Sequence, residues 1–314
     1  MNLTRRITLG LPLAALASPA RAAPVIRVGT LRFGSVGWEL DVMRAHNLSP
    51  VAVEPVEFAA GQATQVALQA GRVDMTVQDW LWVSRQRATG ADWTLSPTSS
   101  ALGAVMVPDG SPITDLADLR GKRLGIAGSP LDKSWLILRA YAGPMLDLEH
   151  ETEKSFGPPP LLMEQLRAGR LDAMLTYWPF AARAEAAGMR RLLAMEDAVT
   201  GLGIAPGVPF VGWVFSDAFA AREPGAVEGF IAAAAQARQV LATSGAEWDR
   251  IAPLTGASGP AELARLRDWY RHGTPPAWNV PATAQLYDVL AGIGGQALVG
   301  PAAHLAPGTF YASA

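Results

Sequence analysis

Residues 68–80 read LQAGRVDMTVQDW, and residues 166–178 read LRAGRLDAMLTYW. The two stretches lie 98 residues apart and share Leu, Ala, Gly, Arg, Asp and Trp in register, with Phe58 and Phe156 matched at the same offset ahead of them. Each copy parses as the end of a helix, a glycine cap (Gly71, Gly169) and a short apolar strand. Glycine suits the left-handed conformation that terminates a helix. Each strand then ends in a polar or aromatic group, Gln78-Asp79-Trp80 in one copy and Thr176-Tyr177-Trp178 in the other. In open α/β sheets, ligands bind just beyond the carboxyl ends of strands. Two such ends, one per repeat, predict two similar lobes facing one ligand.

Composition narrows the function classes. A chain of 314 residues, 50% hydrophobic and 17% charged, can bury a substantial core in two lobes and lacks the charge excess of a disordered protein. The formal net charge of −2 argues against a nucleic-acid surface. There is no cysteine, which excludes disulfides, thiolate metal sites and cysteine nucleophiles. The four histidines, His46, His150, His272 and His304, are far apart and show no metal-ligand spacing. Neither a metal nor a cofactor is called for.

Residues 1–22 read as a signal peptide. Arg5 and Arg6 supply the charged start, Leu9–Ala17 an apolar core too short to span a bilayer, and Ala20-Arg21-Ala22 a cleavage signal. The paired arginines fit twin-arginine export, and Thr8 in place of the favoured Phe keeps the general secretory route open. The expected mature chain starts near Ala23 and is soluble and periplasmic.

Val25–Leu31 is then a strand rich in β-branched residues, followed by the loop Phe33-Gly34-Ser35-Val36-Gly37 and a helix from about Trp38 to Ala45. A strand, a small-residue loop and a helix N-terminus make a pocket of backbone N–H groups. The same unit recurs at Arg123–Ile126, Ala127-Gly128-Ser129-Pro130 and a helix from Leu131 to Tyr141. Ser129 can serve there as a ligand donor or only as the helix cap. Val51–Phe58 is a second strand, and Gln62 lies in the turn into the helix that ends at Gly71. Lobe 1 is assigned residues 23–106 and 206–314, and lobe 2 residues 107–205. The outward crossing is expected near Val105–Asp109 and the return near Gly201–Pro209, where GLGIAPGVP is dense in turn residues. Phe210–Phe215 reads as a buried strand rejoining lobe 1. The remainder reads as helices at Glu223–Leu241, 259–272 and 281–298 that pack on lobe 1 and carry no chemistry.

The run from Asp109 through Ser111-Pro112-Ile113, Asp118-Leu119, Gly121-Lys122 and Gly128-Ser129 resembles the second-lobe motif of the nitrate/sulfonate/taurine family of periplasmic substrate-binding proteins, with Gly110 as an insertion. Gly169, Asp172, Ala173, Trp178 and Pro179 are similar to that family's later G-x-x-D-A and W-x-P elements. The resemblance, which extends to thiamine-pyrimidine-binding relatives, runs from about Val25 to Phe219. It implies a two-lobed α/β periplasmic binding protein fold of type II with two interlobe crossings. It further implies a non-enzymatic, monomeric solute receptor that hands a small molecule to an inner-membrane ABC permease and its ATPase.

Candidate ligand contacts on this reading are Ser35, Trp38, Gln62, Asp79, Trp80, Gly128, Ser129, Tyr177, Trp178 and Trp213. Core packing is the competing role for each tryptophan. Broad aromatic walls together with Asp79 suit a small organic molecule, planar or nitrogen-bearing and with room for one acidic group, rather than nitrate or sulfate. The competing role for Asp79 and Asp132 is that of helix caps turned away from the ligand. Two alternatives remain: an enzyme on the same scaffold, whose pyrimidine-synthase, desulfinase and deaminase relatives rely on cysteines this chain lacks, and a periplasmic ligand sensor.

Overall fold

The computed structural model describes residues 24–32, 34–275 and 277–312. The expected signal peptide, residues 1–22, and Phe33 lie outside them. The first segment comprises β1 (Val25–Leu31), α1 (Val36–Ala45), β2 (Ala52–Phe58), α2 (Gly61–Gln69), β3 (Met75–Asp79), α3 (Trp80–Ala88) and β4 (Trp93–Ser99). The second opens with β5 (Gly103–Val107), a 3-10 turn at Leu116–Leu119, β6 (Arg123–Ala127), α4 (Lys133–Ala142), α5 (Leu148–Glu151) and β7 (Glu153–Gly157). It continues with α6 (Pro159–Arg167), β8 (Ala173–Tyr177), α7 (Trp178–Ala186), β9 (Arg190–Ala194) and α8 (Met195–Gly201). The last comprises β10 (Val211–Ser216), α9 (Asp217–Arg222), α10 (Pro224–Thr243), α11 (Gly245–Thr255), α12 (Pro260–His272) and α13 (Val280–Val299). None of the described helices is long and apolar enough to cross a membrane.

Two five-stranded sheets form the two lobes, ordered β2-β1-β3-β10-β4 and β7-β6-β8-β5-β9. The first three strands of each sheet are parallel, and the fourth is antiparallel to both of its neighbours. That fourth strand, β10 in lobe 1 and β5 in lobe 2, is the one by which the chain enters the sheet from the other lobe. The outward crossing is therefore residues 100–102, earlier than the Val105–Asp109 expected from sequence. The run GAVMV is buried along its whole length, so it reads the same as a core strand of either lobe. The Asp109–Pro112 turn was the nearest visible punctuation.

The repeat has a structural explanation. Gly71 and Gly169 adopt φ of +65° and +68°, the left-handed turn that ends α2 and α6. Three residues later, Asp74 and Asp172 reach across to the first strand of their sheets. Asp74 accepts from the backbone N, Nε and Nη2 of Arg27 at 2.9, 2.9 and 2.7 Å. Asp172 accepts from the same three atoms of Arg123 at 2.8, 3.0 and 2.7 Å. One bidentate ion pair thus locks each helix-to-strand turn to its sheet. The guanidinium bonds of Arg123 hold the Asp172 carboxyl below its usual range, with burial opposing. That contribution is present above the ordinary carboxylate range and is lost as pH falls through the lowered value. Asp172→Asn is expected to cost on the order of 1 kcal/mol at neutral pH and to flatten the acid side of the stability curve. Urea denaturation at pH 7 and pH 3 checks this, and an unchanged pH dependence refutes it.

Asp115 caps the 3-10 turn, in a reciprocal box with Asp118. Two local expectations change. Asp132 caps α4, which begins at Lys133 rather than at Leu131. The C-terminal helices do not pack on lobe 1 alone. The α12 helix lies along α7, and α13 packs on both α4 and α3, so each also braces lobe 2. The chain end adds one parallel bridge, Leu95 to Phe310, at the β4 edge.

Candidate functional site

The carboxyl ends of β1, β4 and β8, the middle of β3 and the N-termini of α1, α4 and α7 surround a cavity of about 220 Å³ between the lobes. Lobe 1 contributes Ser35 and Val36 from the start of α1, Thr76 from β3, and Thr98 and Ser99 from β4. Lobe 2 contributes Lys133 and Ser134 from α4, and Tyr177 through Phe180 at the β8–α7 junction. Tyr270 and Thr274 complete the wall from the end of α12.

Of the ten residues singled out in the sequence, the cavity gathers Ser35, Tyr177 and Trp178. The other seven lie outside its lining. Gln62 is exposed in the first turn of α2, while Thr64 and Gln65 of the same helix bond Gln78 at 2.7 and 2.9 Å. Asp79 caps α3 by accepting from Trp82 N at 2.8 Å, and its other oxygen lies 3.9 Å from Lys133 Nζ. Trp80 is wholly buried against Tyr287, with ring centroids 6.4 Å apart. Trp213 is buried edge-on to Phe230 at 4.9 Å. Trp38 is buried in a cluster of rings, 6.0 Å from Trp178 and 5.7 Å from Trp248. Gly128 and Ser129 form the loop after β6, where Ser129 Oγ accepts only from Leu131 N at 3.3 Å. Trp80 and Trp178 occupy one repeat position, yet only Trp178 borders the cavity. A ring seated at a helix start can turn into the lobe or across the cleft, and the repeat alone cannot tell which.

Trp178 crosses between the lobes. Its backbone N–H donates to Leu102 O at 3.1 Å, and its ring also meets Tyr270 of α12 at 6.2 Å. Beside it, the Tyr177 hydroxyl donates to Asp132 Oδ2 at 2.8 Å, while Asp132 Oδ1 accepts from Ser134 N at 2.8 Å. Burial raises the Asp132 carboxyl above its usual range, and burial with the adjacent carboxylate pushes the Tyr177 phenol well up. Asp132 is thus committed to the cap and to Tyr177. A second buried network lies on the lobe 1 side. Tyr270 Oη donates to Glu39 Oε1 at 2.9 Å. Arg238 Nη1 sits 3.6 Å from Glu39 Oε2 and donates to Thr98 Oγ1 at 2.6 Å. Desolvation raises the Glu39 carboxyl, with Arg238 opposing. Among the described residues, no group of His, Asp or Glu is placed to hold a metal ion.

Sequence reasoning missed Glu39, Thr98, Ser99, Ser134 and Tyr270. The polar run Ser96–Ser100, interrupted only by Pro97, was a usable signal, because it ends a strand on the ligand side. Tyr270 had none, since it reaches the cleft from a helix remote in sequence. Gly128 adopts φ of +96°, and a Cβ there would stand 2.6 Å from Tyr177 Oη and 2.8 Å from Asp132 Oδ2. Gly128→Leu is therefore expected to lose at least about 2 kcal/mol of stability as well as binding. Thermal denaturation checks it, and a mutant as stable as the parent contradicts the loop geometry.

The NMT1/THI5-like family model matches residues 49–244, from before β2 to the end of α10. The chain belongs to the NMT1/THI5-like family. As a family member it shares its fold with solved two-lobed binding proteins. The periplasmic aliphatic sulphonate-binding protein SsuA from Escherichia coli matches with a TM-score of 0.72 and 19% identity, over 92% of each chain. The alkanesulfonate-binding protein SsuA from Xanthomonas axonopodis pv. citri, bound to MOPS, matches with a TM-score of 0.70 and 22% identity, over 92% of this chain and 99% of that one. A zinc-bound ligand-binding component of an ABC-type import system from Staphylococcus aureus matches with a TM-score of 0.69 and 14% identity, over 92% and 96%. No curated protein matches the chain in sequence.

Proposed function

We propose that this NMT1/THI5-like protein is the periplasmic solute-binding component of an ABC importer, binding a small organic molecule between its lobes without chemically altering it. The observation that carries this reading is the interlobe cavity, walled from both lobes by strand ends and helix N-termini. Contacts from both sides are what allow a ligand to stabilise a closed arrangement of two lobes. Its walls are largely apolar and aromatic with a few polar groups, the usual make-up of a small-molecule site. The SsuA proteins and the import component share the architecture, which supports the assignment of an exported receptor with a membrane permease and its ATPase as partners. Among the described residues the lobes are taken as 24–102 with 203–312 and as 103–202, revised from the sequence boundaries both at the start of β5 and after α8. Ser35, Tyr177 and Trp178 are retained as ligand contacts, joined by Ser134, Thr98 and Tyr270. The reading also takes residues 1–22 as a cleaved export signal.

Native mass spectrometry of the protein isolated from its own periplasm tests the assignment. A chain starting near Ala23 and carrying one small molecule in unmodified form is expected. A chain retaining Met1, or one that converts the recovered molecule, contradicts it.

A further inference from the structure

Two buried oxygens at the cleft have no hydrogen-bond partner. They are Oε2 of Glu39 and Oγ of Ser134, and both residues line the cavity. Glu39 is 5% exposed and Ser134 3%. The first stands in the opening turn of α1 in lobe 1, the second in that of α4 in lobe 2. Buried polar atoms are nearly always bonded, and Glu39 Oε2 has only the Arg238 guanidinium at 3.6 Å, an ion-pair distance beyond a hydrogen bond. Neighbouring groups leave both without a hydrogen bond. Tyr270 serves the other oxygen of Glu39, and the short bond of Arg238 goes to Thr98. Ser134 takes its helix-cap bond through its backbone N–H from Asp132, which leaves the hydroxyl unused.

Building on the reading of this cavity as a solute site, we propose that Glu39 sets its specificity by accepting a hydrogen bond from an amine or ring N–H of the ligand, with Ser134 bonding the same molecule from the opposite lobe. A carboxylate acceptor selects for donors at its own end of the cavity, because an oxyanion set directly against Oε2 would place like charges together in a dry site, while Lys133 lines the lobe 2 side. The rings of Tyr177, Trp178 and Tyr270 beside it suit a nitrogen cation or a flat heterocycle. Asp79, the acceptor expected from sequence, is occupied as a helix cap, and Glu39 takes its place. Burial raises the Glu39 carboxyl, so a donor arriving at Oε2 relieves a group the free protein holds at a cost.

Calorimetric titration of the full mature protein with two matched pairs tests this: 2-aminoethanesulfonate against ethanesulfonate, and benzylamine against benzoate. In at least one pair the amine should bind tenfold or more tightly. Glu39→Gln should reduce that preference below threefold. Ser134→Ala should weaken the amine several-fold with an unchanged melting temperature, because the hydroxyl holds nothing in the free protein. This second variant keeps the test decisive if Glu39→Gln disturbs Arg238 and Tyr270. Equal or tighter binding of the member without nitrogen in both pairs, a preference that survives Glu39→Gln, or an inert Ser134→Ala overturns the proposal. If neither pair binds, the molecule carried from the periplasm decides. An N–H-bearing molecule whose affinity falls tenfold in Glu39→Gln supports the proposal. A molecule without N–H overturns it while leaving the solute-binding reading intact. A protein that carries nothing and binds nothing removes both.

Discussion

Gly103→Ala is expected to lose at least about 3 kcal/mol of stability. Gly103 opens β5, the strand by which the chain enters the second sheet, with φ of +137°. A Cβ built there would stand 1.9 Å from Thr176 O and 2.9 Å from Trp178 N. Both are backbone atoms of the neighbouring strand end, so no side-chain rotation can relieve the overlap. The substitution must push β5 away from β8 or tilt the crossing. Either outcome disturbs Tyr177 and Trp178, so binding should fall with stability. Gly110→Ala is the control, because nothing lies within 4 Å of its Cβ position, and it should be neutral. Urea denaturation of both variants checks the contrast. A Gly103→Ala protein within about 1 kcal/mol of the parent contradicts the packing of the crossing against β8.

Trp178→Ala should affect both stability and binding. The ring is 9% exposed and meets Trp38 and Tyr270 edge-on across the lobe boundary. Its loss should cost roughly 3–5 kcal/mol of stability and at least about thirtyfold in affinity, as expected for a central aromatic anchor. Trp80→Ala offers the comparison. Its ring is wholly buried beneath the first lobe's helices, so stability should fall by a similar amount while the affinity of the folded fraction stays near normal. Calorimetry with the molecule recovered from the periplasm measures both. Equal affinity losses in the two variants would mean that Trp178 acts only as core.

These two tryptophans also mark how much of the site the sequence discloses. The repeat that contains them made the two-lobed fold legible, because helix end, left-handed glycine and strand form a local pattern that hardly depends on tertiary context. Even there, the invariant Asp of the repeat belongs to an ion pair with Arg27 or Arg123, whose partner strand cannot be identified from local pattern. The site was less legible because orientation decides it. Trp38, Trp80 and Trp213 lie at the expected strand and helix ends yet turn inward, where burying a large ring is favoured. Asp79 and Asp132 took the competing role of helix caps, a local bond that a short acidic side chain makes readily. Glu39 went unnoticed because an acidic residue in the first turn of a helix usually needs no explanation beyond the helix dipole. Only the arrangement of Arg238, Tyr270 and Thr98, drawn from three distant segments, shows it to be buried at the cleft.

The central claim, that two lobes close on a small molecule, is tested most directly by small-angle X-ray scattering. The protein is compared after its bound molecule has been stripped by unfolding and refolding, and again after that molecule has been returned in excess. The account predicts a larger radius of gyration for the stripped protein, reversed on adding the molecule back, and absent in Trp178→Ala. Superimposable scattering in the stripped and reloaded states, with binding verified in the same samples, would contradict it.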